Sequence, residues 1–232
     1  MMGTMTFEQL CDLVPDVLSE MTREFVRKGG EYLDLDITSQ HSACFMLAIR
    51  SVSLLRGMEV LLAPDTFDSW DVLMRSFMES RDILLTFRFD DEGTADHVRG
   101  WFKGKDSQAW KPKHRTCERF LTQVGAADSE LARRWGVFSG LAHPTALAAR
   151  NSVAVTAARI SSNSRPDMAI ALEEKRADYL TSIASLFVTA SFELPGWIHL
   201  GCDTDRMPTA ERFRIAAPAV VLPILKRKEG KS

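Results

Sequence analysis

Apolar residues recur at intervals of three and four through most of the chain, and runs of strict apolar–polar alternation bounded by turn residues are nearly absent. The pattern predicts an all-α protein. A first helix is expected from Thr6 through Leu10, Leu13, Val17 and Met21, kinked at Pro15 and ending at Gly29–Gly30. A second starts near Thr38 or Ser39, carries Phe45, Leu47, Ile49, Val52, Leu55 and Val60, and stops at Pro64. Asp65 or Thr66 caps a third that runs to about Phe89, and a shorter fourth spans Thr94 to Phe102. A fifth covers Lys111 to Val124, with Pro112 tolerated in its first turn, and a sixth runs from Asp128 or Ser129 to about Ala142. Residues 151–168 read as loop with one short strand near 152–158. Further helices are expected over Glu173 to Glu193 and Thr209 to Lys226, the last broken by Pro218 and Pro223 and followed by a frayed basic tail over 227–232.

With no internal repeat, linker or low-complexity tract, residues 1–232 are expected to form one domain, a bundle of about seven to eight helices. Composition agrees: 45% of residues are apolar and 26% charged, values typical of a chain that buries its own core without staples. Twenty-nine Lys and Arg against 31 Asp and Glu give a net charge of −2, which excludes a globally basic nucleic-acid binder. Four scattered cysteines and the lack of a signal-like N-terminus predict a reducing, cytoplasmic setting. The two most apolar C-terminal stretches are interrupted by Glu193 and Pro195 and by Pro218 and Pro223, so no membrane span is expected.

The third helix carries the first candidate chemistry. Trp70, Leu73, Met74, Phe77, Met78, Leu84, Leu85 and Phe87 cover most of its circumference, leaving a strip with Asp71, Arg75, Glu79 and Asp82. Such a strip reads either as solvent-facing i,i+4 pairs or as a polar slot inside the bundle. So narrow an outward sector favours the interior for Arg75 and Glu79, facing the sixth helix. On that sixth helix Gly136, Ser139, Gly140 and His143 share one face. Each glycine costs about 1 kcal/mol against alanine, so something should approach closely there: another helix, or a ligand above Ser139 and His143.

Arg75-x-x-x-Glu79, Trp101 with Lys103, Lys111–Pro112 and Ser139-Gly-Leu-Ala-His143-Pro144 resemble, over about residues 45 to 150, an uncharacterised family of all-helical bacterial proteins. The resemblance implies that the Arg/Glu and Ser/His pairs meet within the bundle. That family is similar to helical modules of bacterial defence and toxin–antitoxin loci, including the HEPN ribonucleases. The HEPN motif sets an Arg four to six residues before a His, and none of His41, His97, His114, His143 and His199 has one. Ribonuclease action by that mechanism is therefore not expected.

Lys103, Lys105, Lys111, Lys113 and Arg115, interleaved with aromatic residues, have the composition for phosphate contact and base stacking. Nine acids against three bases between Asp65 and Asp96 favour mutual neutralisation instead, within the fold or across a homo-oligomer. Metal-ligand residues occur only as pairs such as His114 with Cys117 and His199 with Cys202, and the phosphate-binding, dinucleotide and nucleophile-elbow motifs are missing, so no cofactor is expected. Two functional readings follow. The first is a cytosolic binding or regulatory module associated with defence or toxin–antitoxin systems. The second is a hydrolase or phosphoryl-transfer enzyme with Glu79 as base, Arg75 as anion clamp and His143 as acid–base partner to Ser139.

Overall fold

The computed structural model describes residues 5–62, 67–89, 92–103, 166–193 and 196–229. These form six helices: α1 (Phe7–Leu35), α2 (Gln40–Val60), α3 (Phe67–Arg88), α4 (Glu92–Lys103), α5 (Pro166–Ser191) and α6 (Pro208–Glu229), with a 3-10 turn at Thr204–Arg206. The all-α expectation holds. Among the described residues there is no strand, only an isolated antiparallel bridge between Phe89 and Trp197. No described helix is long and apolar enough to cross a membrane. The expected fifth and sixth helices, the strand near 152–158, and with them Lys105, Lys111, Lys113, Arg115, Ser139 and His143, lie outside the described residues.

Capping fixes where the first two helices start. Thr6 accepts from the Gln9 amide while the Gln9 side chain accepts from the Thr6 amide, a reciprocal box that satisfies two otherwise orphaned donors. Ser39 does the same for the Ser42 amide. Three expectations about helix ends are corrected. The first helix does not end at Gly29–Gly30 but continues to Leu35, and Gly29 lies where Phe45 of α2 packs against it: a Cβ there would lie 3.1 Å from Phe45 Cβ. Its glycine serves packing rather than termination. What ends α1 is Asp36, whose carboxylate accepts from the Thr38 amide and hydroxyl and turns the chain toward α2.

The helix expected from Glu173 starts at Pro166, so residues 166–168 are helical rather than loop; proline suits a first helical position, where its missing N–H is not needed. The last helix is not broken by its prolines. Pro218 and Pro223 sit on its exposed side, where freed carbonyls can bond water, while Phe213, Ala217, Val221, Ile224 and Leu225 are buried on the other. It runs to Glu229, so residues 227–229 belong to the helix and not to a frayed tail. Likewise α1 passes through Pro15 as one continuous helix.

α2 packs along α3 and α1, and α6 along α5 and α1, which places one core between all of them. Phe25, Phe45, Trp70, Phe77, Phe87, Tyr179, Phe187 and Phe213 fill it. Charged residues enter this core as well, each with a partner. Glu20 accepts from the Thr209 and Ala210 amides, both at 2.9 Å, and so caps the N-terminus of α6 from another helix. Glu24 accepts from the Asp203 amide and binds Arg27. Together they fasten the 3-10 turn and the start of α6 to α1.

Candidate functional site

The strip on α3 is divided rather than uniform. Arg75 Nε and Glu79 Oε1 are 3.1 Å apart, but the Glu79 side chain is 42% exposed and that of Arg75 21%. The expected interior pair is thus a half-exposed i,i+4 pair, because it lies beside Val72 on the exposed side of α3. The ends of the strip are what is buried. Asp71 binds Lys175 of α5, whose ammonium also lies 4.7 Å from the Trp70 ring centre. Asp82 binds Arg81, and Arg81 reaches Ser185 of α5 at 3.2 Å. Where Arg75 and Glu79 stand relative to Ser139 and His143 falls outside the described residues.

Of the basic stretch, Lys103 is described and exposed, at the end of α4. Its aromatic neighbours are engaged in packing rather than presented for stacking: Trp101 meets Phe87 edge-on at 5.8 Å and Phe102 at 4.9 Å, against the core. The His199–Cys202 pair is also otherwise occupied. His199 Nε2 contacts the Glu193 carboxylate, and burial pushes the Cys202 thiol up to about 12, which keeps it protonated and a poor ligand. Among the described residues no group of three or more metal-ligating side chains is gathered.

A place the sequence did not single out has better geometry. The N-terminal part of α1, the C-terminal end of α2 and the first half of α5 enclose a cleft of about 600 Å³. Phe7, Val14, Leu62, Leu172 and Leu180 make its apolar walls, with Cys11 and Tyr179 among them. Charge sits around these: Glu8 and Asp12 from α1, Glu59 from α2, Glu173 and Arg176 from α5. Glu8, Cys11 and Asp12 share one face of α1, and Ala169, Leu172, Glu173, Arg176 and Leu180 share one face of α5, by the ordinary three-and-four spacing of a helix. Each face was legible; that the two meet was not.

Burial governs the titratable groups that line the cleft. Tyr179 donates its hydroxyl to the Leu55 carbonyl at 2.9 Å, and burial pushes its ionisation far above the ordinary phenol range. The Cys11 thiol is likewise pushed up, mainly by burial, with Asp12 and Glu8 adding to the shift and Arg176 opposing it, so it is not an activated nucleophile. Glu59 is raised above the usual carboxylate range by burial, against the pull of Arg56. Among the described residues Glu8, Asp12 and Glu59 form no ion pair, whereas Glu173 holds Arg227 of α6 at 3.2 Å. Comparison of the chain with protein-family models, with curated proteins and with solved structures found no match.

Proposed function

We propose that the protein is a helical-bundle binding or regulatory module, and that the cleft between α1, α2 and α5 is where it takes a small molecule with an apolar body. The observation that carries this reading is the cleft itself, whose volume falls in the range of small-molecule sites and whose apolar walls carry a few charged groups at the edge. A cytosolic setting, assembly as a homo-oligomer, and association with bacterial defence or toxin–antitoxin systems belong to the same proposal; they rest on the sequence resemblance and on the opposed charges of neighbouring segments. The enzyme reading keeps Arg75 and Glu79, which bond each other on α3, while its Ser139 and His143 lie outside the described residues.

Ala169 is exposed and lines the cleft, so Ala169→Trp should obstruct it without entering the core. Titration with a neutral, environment-sensitive dye such as Nile red is expected to show saturable binding to the unmodified protein. The variant should bind at least about tenfold more weakly, a loss of roughly 1.4 kcal/mol, with its melting temperature changed by no more than about 2 °C. Equal binding by both proteins would place the dye elsewhere and remove the basis of the proposal.

A further inference from the structure

We infer that the ligand of this cleft is an organic cation, a protonated amine or quaternary ammonium group carried on an apolar body. The inference rests on the binding reading above and names its chemistry. Among the described residues four carboxylates line the cleft beside the Arg176 guanidinium, one of them, Glu173, already held by Arg227, and they come from three helices that are far apart in sequence, so the acidity belongs to the cleft and not to one solvated helix face. Glu8 and Asp12 are exposed at the edge, while Glu59 is drawn further in, beside Leu62 and within the electrostatic reach of Tyr179. A carboxylate in that position has lost part of its hydration, and Arg56 acts on it from a distance without closing an ion pair, so a bound ammonium would replace what burial removed.

The protein supplies its own example of this preference. At the edge of the same cleft Glu173 captures a cationic side chain, Arg227, from the far end of the chain. An anion entering the cleft would meet Glu8, Asp12 and Glu59, with Arg176 on the lining to favour it. The apolar walls then select among cations, since a fully hydrated inorganic ion gains nothing from Val14, Leu172 and Leu180, whereas an alkyl or aryl group does.

Three probes of matched length separate charge from apolar burial: octyltrimethylammonium, octanol and octanoate, each titrated into the full chain by calorimetry or ligand-observed NMR. The expected result is that the ammonium binds at least about tenfold more tightly than octanol, that octanoate binds more weakly than octanol, and that Glu59→Gln shrinks the ammonium-to-octanol ratio several-fold. Circular dichroism and a melting curve establish that the variant is folded, and Glu8→Gln with Asp12→Asn provides a second test at exposed positions. Octanoate binding as well as the ammonium, or a ratio unchanged in both variants, would overturn the inference while leaving a binding cleft. Failure of all three probes to bind would overturn the cleft reading together with it. An oligolysine peptide that binds more tightly than the ammonium and resists displacement by it would replace the small cation by a basic polypeptide.

Discussion

Asp71→Ala is expected to destabilise the protein by about 3–5 kcal/mol, the usual size when one member of a buried ion pair is removed. Asp71 is 2% exposed and its partner Lys175 is 15% exposed, so the pair is largely withdrawn from water. Loss of the carboxylate leaves an ammonium against the Trp70 ring at the junction of α3 and α5. Glu79→Ala, on the same polar strip, is expected to cost less than about 1 kcal/mol, because an exposed i,i+4 pair gains little in water. Denaturant unfolding of both variants checks the contrast. Similar losses for the two would mean that the strip is uniform, either wholly buried or wholly solvated.

Arg88→Ala should have an effect of comparable size, at least about 3 kcal/mol, for a different reason. Arg88 closes α3 and is almost wholly buried, yet it faces carbonyls rather than a carboxylate: its guanidinium donates to Thr189 and Phe192 at the end of α5 and to Ile198 beyond it. In return the Ile198 amide donates to the Arg88 carbonyl at 2.7 Å, while Gln40 of α2 donates to the carbonyls of Phe87 and Phe89. The last turn of α3 is therefore capped by two other segments, and the arginine holds one of them in place. Truncation leaves several buried acceptors without a donor and a cavity where the side chain was, each costing on the order of 1–3 kcal/mol. Hydrogen exchange should localise the damage, with protection lost first at Ile198. A variant that unfolds with its stability unchanged would show that water takes over these carbonyls.

Much of this fold was legible in the chain. Thr6 with Gln9 and Ser39 with Ser42 announce their helices by chemistry internal to one turn, and the apolar spacing of α2 and α3 needs no knowledge of neighbours. What was misread depends on neighbours. Gly29 resembles a helix terminator until Phe45 is brought against it, and Pro218 and Pro223 resemble breaks until their side of α6 is seen to face solvent. The charges were the harder case. Glu20 and Glu24 are one turn apart among Val17, Met21 and Phe25, and Arg88 ends the run Leu84-Leu85-Thr86-Phe87. Charges embedded in an apolar pattern are a usable signal for buried, partnered groups, and these three were not singled out. The Arg75–Glu79 contact was anticipated and its exposure was not, since which sector of α3 faces outward depends on how α2 and α5 cover the rest. The cleft could not be read at all, because its walls come from three segments whose proximity is set only by the packed core.

The most direct test of the central claim is a map of where an apolar ligand lands. Backbone and methyl NMR shifts followed during titration with octyltrimethylammonium should move together at Cys11, Leu62, Leu172 and Leu180, side chains from α1, the chain just beyond α2, and α5, which meet in the cleft. They should follow one saturation curve, which Ala169→Trp should abolish. Shifts that gather on any other surface, or that persist undiminished in the variant, would contradict the account.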